Sequence, residues 1–379
     1  MKLFFLFLLF MVFYIYFGYP LIIGSFSIFK KSQWKENETN LPFVTLLIPV
    51  HNEERVIRRK IENTLALDYP KGKLEIIIAS DASNDKTDSI IKGYEMEGII
   101  FYREEERSGK NVIINNSIPK IKGELIVFSD ANSIYKPDAI KNLVKNFQDP
   151  KVGCVCGKLI YVNDKGSLVG KGESLYFKYE SMLKNLESNF GVVVTGNGAI
   201  YAIRRDLLFP LPNEVPNDFA HPIEVRAKGF KVVYEPSAIA EEKATSSIKD
   251  EFKRRVRIVV RSFSAFIYYQ KKYNILKSRN SFFFISHKLL RWFVFPLMIM
   301  IFSINFFLTG YFYQFFFKIQ LLFYMSALIG WVFQEIKIKI KIFYIPFYFC
   351  LINLAGTVGL YKYFIGKRET IWEAAESTR

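Results

Sequence analysis

Three cysteines in 379 residues are too few for a disulfide framework. Two of them, Cys154 and Cys156, alternate in Val152-Gly153-Cys154-Val155-Cys156, which is the spacing of one face of a buried strand. The three histidines, His51, His221 and His287, are scattered, so the chain offers no zinc spacing and no Ser/His/Asp set. Arg107-Ser108-Gly109-Lys110-Asn111 holds a Gly-Lys pair without the rest of a Walker phosphate loop. Internal repeats and low-complexity linkers are also missing. The net charge is +16, yet no nucleic-acid recognition motif accompanies it, and no nucleic-acid partner is expected. Anionic membrane faces and phosphorylated substrates remain as explanations of that charge.

What the chain has in abundance is aromatic and apolar residues, with 38 Phe and 22 Tyr crowded toward its two ends. Leu3 to Phe29 is an uncharged apolar run long enough to span a bilayer. A cleaved signal peptide would have a shorter apolar region ending in small residues, whereas this run continues to Lys30-Lys31. A retained anchor over 1–30 is therefore expected. Lys2 ahead of it and Lys30, Lys31 and Lys35 behind it argue for an outside N-terminus and a cytoplasmic central domain. Beyond Glu241 the chain turns basic and amphipathic from Lys249 to Arg261, as in a helix lying on lipid, and Ser281–Leu290 is a second surface candidate; both fall within 246–290. Apolar spans near Trp292–Leu308, Phe312–Phe333 and Phe343–Leu360 follow within 291–366, ahead of a polar tail over 367–379. Three crossings would put that tail outside, although Lys337–Lys341 and Gly366-Lys367-Arg368 have the character of cytoplasmic segments.

Between these ends, over 41–245, the pattern is α/β. Strands are expected at Phe43–Val50, Leu74–Ser80, Ile99–Arg103, Leu125–Ser129, Val152–Val162 and Lys231–Tyr234. The first, second and fourth are nearly continuous apolar runs, as in parallel strands buried on both faces. Asn52–Leu67, Asp85–Glu97 and Pro137–Phe147 read as the intervening helices. Four acidic residues mark this segment: Glu53, Asp81, Asp130 and Asp218. The first three follow apolar runs and so fall at the C-terminal ends of strands, the edge where open α/β sheets bind ligands.

Asp130-Ala131-Asn132 sets two oxygen-bearing side chains two residues apart, a pattern that suits Mg²⁺ or Mn²⁺ shared with phosphate oxygens. Read alone, such a triplet is more commonly a turn. Glu53 and Asp81 have the chemistry to accept hydrogen bonds from a ribose or base, or to cap helices. Asp218, between Pro216 and a helical stretch over Phe219–Lys228, is either a helix cap or a base that deprotonates an attacking hydroxyl. Gly196-Asn197-Gly198 calls for close backbone approach, as in a substrate-facing loop or a tight hairpin. Arg254 and Arg257, at i and i+3, share a helix face and have the geometry to hold a diphosphate.

In order and spacing, these motifs resemble the membrane-bound glycosyltransferase family 2, the group that includes poly-N-acetylglucosamine, hyaluronan and cellulose synthase-like enzymes. The resemblance covers roughly Leu41 to Arg261 and includes Gly109-Lys110 followed by Asn115 and a Trp372-Glu373 tail. It implies a GT-A fold with a Rossmann-like mixed sheet and an inverting transfer from a nucleotide sugar, with uridine diphosphate as the carrier. By the same resemblance, Glu53, Asp81, Lys110, Arg254 and Arg257 bind the donor, Asp130 and Asn132 hold the metal, Gly196, Asn197 and Gly198 face the acceptor, and Asp218 is the base.

Two departures bear on function. The metal motif reads Asp-Ala-Asn where many relatives have Asp-x-Asp, and the stretch matching the family's Gln-x-x-Arg-Trp reads Arg254-Arg255-Val256-Arg257-Ile258. Ile258 stands where a Trp would stack on a growing glycan. That favours limited transfer onto a lipid-linked or membrane-proximal acceptor over processive synthesis. A catalytically idle nucleotide-sugar scaffold is the reading from another class, and Asn217 beside the base, where an acid is usual, sustains it. The plasma membrane, with the site facing the cytoplasm, is the expected location.

Overall fold

The computed structural model describes residues 1–28, 41–162, 168–245, 247–278, 280–336, 338 and 340–367. Lys30, Lys31, Lys35, Lys337, Lys339, Arg368, Trp372 and Glu373 lie outside the described residues, as does all of the tail but Lys367. The helices are α1 (Lys2–Ser27), α2 (Ile57–Leu65), α3 (Thr87–Lys92), α4 (Lys110–Ser117), α5 (Ala139–Val144), α6 (Leu168–Ser188), α7 (Asn217–Ala227), α8 (Ile248–Tyr273), α9 (Ser281–Phe306), α10 (Tyr311–Glu335) and α11 (Lys341–Phe364). The strands are β1 (Val44–Val50), β2 (Leu74–Ser80), β3 (Ile99–Arg103), β4 (Leu125–Phe128), β5 (Ile134–Tyr135), β6 (Val152–Val162), β7 (Tyr201–Arg204) and β8 (Lys231–Lys243).

The strands form one mixed sheet in the order β3-β2-β1-β4-β7-β6-β8-β5. β3, β2, β1 and β4 run parallel, β7 is antiparallel to both neighbours, and β5 is antiparallel to β8. The parallel half is an open α/β sheet, and the antiparallel β7 marks where the second half is joined. Side chains of β1 alternate between two cores: Val44, Leu46, Ile48 and Val50 pack on one face and Leu47 on the other. That double burial is why the strand reads as an unbroken apolar run. Cys154 and Cys156 are buried together on one face of β6 and are free thiols, as their alternation implies.

The differences from the sequence reading have local causes. β5, with two residues, and β7, with four, are too short to leave a periodic pattern. β8 runs on to Lys243, nine residues past the expected end, because it pairs with β6 up to Val162. Asp218 lies in the first turn of α7 and not in the preceding loop. Ser281 to Phe306 is one helical run, where a surface helix and a separate span were expected. Its polar residues His287, Lys288 and Arg291 face carboxylates of α6, which removes the reason for a break there.

Among the described residues, α1, α9, α10 and α11 are long and apolar enough to cross a membrane. The amphipathic α8 lies against α11, with Val256 and Val260 packed on Ala355. The long apolar helices are thereby fastened to the sheet domain through α8 and α6.

Candidate functional site

The loops that follow β1, β2 and β4 meet at one edge of the sheet. Glu53 is buried in the turn after β1, where its carbonyl accepts the Val56 and Ile57 amides and starts α2. Asp81, just past β2, spends its carboxylate on the next loop. Oδ1 accepts the Ser108 amide at 2.7 Å and the Ser108 hydroxyl at 3.0 Å, and Oδ2 accepts the Gly109 amide at 2.8 Å. Gly109 has φ of +100°, a conformation that side chains avoid, so glycine is needed for the chain to turn there into α4. That turn aims Lys110, the first residue of α4, across to the end of β4, where its Nζ lies 2.5 Å from Asp130 Oδ1.

Opposite Asp130 stands the loop over Gly196, Asn197 and Gly198. Asp218 accepts two amides from it: Gly196 N–H reaches the Asp218 carbonyl at 2.7 Å, and Gly198 N–H reaches Oδ2 at 3.1 Å. A methyl group placed on Gly198 would sit 3.4 Å from Asp130 Oδ2 and 3.7 Å from Asp218 Oδ2. The two carboxylates therefore converge on the space in front of a residue that has no side chain. Burial raises the Asp218 carboxyl above its ordinary range, and Asp130 adds to the rise while Lys110, Lys184 and Arg261 oppose it.

Asn217 takes part in a buried chain. Its amide donates to Tyr201 Oη at 2.7 Å, and Tyr201 Oη lies 2.9 Å from His221 Nδ1. Burial holds His221 down to about 3, so the imidazole is neutral and the network carries no charge. An amide is well matched to that setting.

Lys110, Asp130, Asn217, Asp218 and the loop over Gly196, Asn197 and Gly198 line a cavity of about 370 Å³. Its lining also includes Asn132, Tyr16 of α1, Trp292 of α9 and Ile352, Asn353 and Gly356 of α11. Arg254 and Arg257 of α8 both line it, as their spacing implies. Arg254 is already engaged, however. It pairs with Glu173 and Glu251, to which its NH2 lies 2.6 Å from Oε2, and donates to Tyr161 Oη at 3.0 Å. Glu53 and Asp81 are not among the cavity's lining residues; they stand behind the loops that lead into it.

Several lining residues carry no sequence motif. Lys184 donates to the Gly196 carbonyl at 3.0 Å and to Asn197 Oδ1 at 2.6 Å. Arg261 faces Asp218 with its Nε buried and unbonded. Glu242 accepts Ser133 Oγ at 2.5 Å, and burial next to Asp130 lifts its carboxyl to about 7. Glu180 and Lys184, which line the cavity, and Glu187, which does not, fall at i, i+4 and i+7 of α6, and that spacing is the one signal that could have found them.

Among the described residues no group of three or more His, Cys, Asp or Glu side chains is arranged to hold an ion. The donor set at the sheet edge is one carboxylate, Asp130, with the Asn132 amide two residues on. A hard divalent cation completed by phosphate oxygens needs no more protein than that. The gap in front of Gly198 leaves Asp130 Oδ2 accessible to it.

Comparison with known proteins shows what the chain as a whole is similar to. Residues 45–208 match the model of glycosyl transferase family 2. Over 271 residues the chain is 29% identical to "Probable glycosyltransferase YdaM" of Bacillus subtilis, covering 66% of this chain and 64% of that protein. Over 228 residues it is 28% identical to the poly-beta-1,6-N-acetyl-D-glucosamine synthase of Staphylococcus aureus, covering 58% of this chain and 55% of that one. The chain thus spans somewhat over half the length of the curated relatives it matches. Among solved structures, the mannosyltransferase PcManGT from Pyrobaculum calidifontis, in complex with GDP-Man and Mn2+, superposes with a TM-score of 0.69 at 21% identity. The superposition covers 94% of this chain and 98% of that one, a likeness of fold that includes the membrane helices.

Proposed function

We propose that this chain, whose residues 45–208 match the glycosyl transferase family 2 model and whose GT-A sheet has long apolar helices before and after it, carries out an inverting transfer onto a membrane-borne acceptor. The donor is a nucleoside diphosphate sugar, UDP-linked, and the acceptor a lipid-linked or membrane-proximal glycan in the synthesis of a cell-surface polysaccharide. One observation carries this reading: a single cavity is lined both by Asp218 and Asp130 and by side chains of α1, α9 and α11. An acceptor that extends from lipid into that cavity brings its hydroxyl to Asp218.

In this reading Glu53 and Asp81 serve the nucleoside, the latter also fixing the 108–109 turn that presents Lys110. Lys110 and Arg257 meet the diphosphate, while Arg254, tied to Glu173 and Glu251, holds the cavity wall in place. Asp218 removes the proton from the acceptor hydroxyl as that oxygen forms its bond to the anomeric carbon and the bond to the diphosphate breaks. No enzyme nucleophile is involved, so the anomeric configuration inverts. Gly196, Asn197 and Gly198 border the acceptor and hold Asp218 by backbone amides. Asp130, with Asn132, would hold a Mg²⁺ or Mn²⁺ ion whose chemistry is to neutralise the departing diphosphate; the Mn2+ complex of the Pyrobaculum calidifontis mannosyltransferase supports this choice. The catalytic domain faces the cytoplasm of a prokaryotic plasma membrane, where nucleotide sugars are made.

The relative named as a poly-N-acetylglucosamine synthase favours a second reading, processive addition. Purified protein in nanodiscs, given UDP-GlcNAc, UDP-Glc or GDP-Man with Mg²⁺ or Mn²⁺ and a lipid extract, decides among them. Nucleoside diphosphate released with a product one sugar longer supports limited transfer, and a ladder of products supports the synthase. Nucleotide binding without release from any donor would leave the idle scaffold.

A further inference from the structure

We propose that Glu187 is a positioning residue through which two membrane helices set the loop that orients Asp218. The role rests on reading Asp218 as the base. Glu187 stands at the end of α6 and is fully buried. Its Oε1 accepts the Tyr19 hydroxyl of α1 at 2.7 Å and lies 2.6 Å from His287 Nδ1 of α9. Its Oε2 accepts the Val194 amide at 3.2 Å. One carboxylate thus ties two membrane helices to the residue that opens the loop running through Thr195, Gly196, Asn197 and Gly198.

That loop ends on Asp218, through the Gly196 and Gly198 amides. One turn back on α6, Lys184 grips the same loop at the Gly196 carbonyl and Asn197 Oδ1. Another turn back, Glu180 takes His287 Nε2 at 3.2 Å and Lys288 Nζ at 3.0 Å, and pairs with Arg291. The two outer carboxylates of α6 therefore hold α1 and α9, and the middle lysine holds the loop. A buried carboxylate with charge-assisted bonds to three separate elements is a stiff joint. Loss of one bond leaves the others strained or unmet, and a shift of the base by about 1 Å is enough to cost on the order of 100-fold in rate. Seating of α1 and α9 in the bilayer is in this way transmitted to the base.

The test uses the full chain in nanodiscs with Tyr19→Phe, Glu187→Gln, their double variant and Tyr14→Phe. Tyr14 Oη lies 2.7 Å from Ser286 Oγ, a bond between the same two membrane helices that does not include Glu187. The first readout is hydrogen exchange of the 192–198 segment, expected to quicken about 10-fold in Tyr19→Phe and Glu187→Gln while β1 stays protected. The second is kinetic: kcat for transfer falls about 10- to 100-fold with donor KM held within about 2-fold. The double variant is expected to be no worse than Glu187→Gln alone, because both act through one carboxylate. Tyr14→Phe is expected to change neither readout. Unchanged exchange in the 192–198 segment overturns the proposal, as do additive losses, a parallel rise in donor KM, or equal effects from Tyr14→Phe. If the unaltered protein releases nucleoside diphosphate from no donor, the transferase reading fails separately, and exchange alone decides whether Glu187 holds the loop.

Discussion

The ammonium of Lys110 lies 2.5 Å from Asp130 Oδ1, on the carboxylate proposed to hold the divalent ion. A lysine so placed supplies a point charge that phosphate and carboxylate can share. Its removal takes a cation away from the leaving diphosphate and from Asp130 together. Lys110→Met is therefore expected to raise donor KM about 10-fold or more and to make turnover more dependent on added Mn²⁺. Asp130→Ala, or chelation of the metal, is expected to abolish turnover. Donor kinetics across a Mn²⁺ series check all three, and full activity of Asp130→Ala in EDTA would remove Asp130 from the site.

Asp218 is half-buried, with its Oδ2 accepting the Gly198 amide, and loss of solvent lifts its carboxyl above the ordinary value of 3.8. A base acts only when ionised, so kcat should rise with pH through that lifted value and level off above it. Lys110 is the largest charge opposing the lift. Lys110→Met at saturating donor should therefore move the acidic limb of the profile to higher pH. Asp218→Asn should lower kcat about 100- to 10,000-fold while nucleotide binding persists. Retained transfer in Asp218→Asn would assign proton removal elsewhere.

The stability of the α6–α8–α11 junction depends on Glu251. Burial alone would raise its carboxyl, but Arg255 at 2.8 Å and Arg254 pull it down to about 2. The folded value lies below the unfolded value of about 4.5, so the contribution is complete above that pH. It is lost as pH falls from about 4.5 toward 2. Glu251→Gln leaves two buried guanidinium groups short of a partner and should destabilise the fold by roughly 3 kcal/mol at neutral pH. Thermal unfolding in nanodiscs across pH is the check. The variant's deficit should shrink below pH 4, and a deficit that is constant with pH would contradict the assignment.

The parallel half of the sheet was legible because β1, β2 and β4 are buried on both faces and spell out that burial residue by residue. The acids at their ends were legible for the same reason, since each follows directly on an apolar run. α6 was not legible. Its Glu180, Lys184 and Glu187 are buried charges with partners in α1, α9 and the 194–198 loop, so its composition does not separate into an apolar and a wet face. The spacing of Arg254 and Arg257 gave their shared face. It could not reveal that Glu173, from 81 positions earlier, occupies the Arg254 guanidinium. His221 and His287, scattered in sequence, both acquire fixed partners through contacts that only folding creates.

The part of the cavity wall that α1 and α11 supply yields the last prediction. Tyr16 of α1 donates to Asn353 Oδ1 of α11 at 2.8 Å, and Ile352 and Gly356 line the same wall. In the proposed reading this is where the acceptor leaves the lipid, whereas the nucleotide sits beside Lys110. Filling the space at this wall should therefore separate the two substrates. Ile352→Trp adds a large ring to the wall and leaves Asp130, Asp218 and Lys110 themselves unaltered. Transfer to a lipid-borne acceptor is expected to fall at least about 10-fold, with donor hydrolysis by water kept within about 2-fold. A shape change that struck the whole site would depress both rates alike. Equal loss of hydrolysis and transfer would therefore count against the acceptor path, and unchanged transfer would show that the acceptor reaches Asp218 by another route.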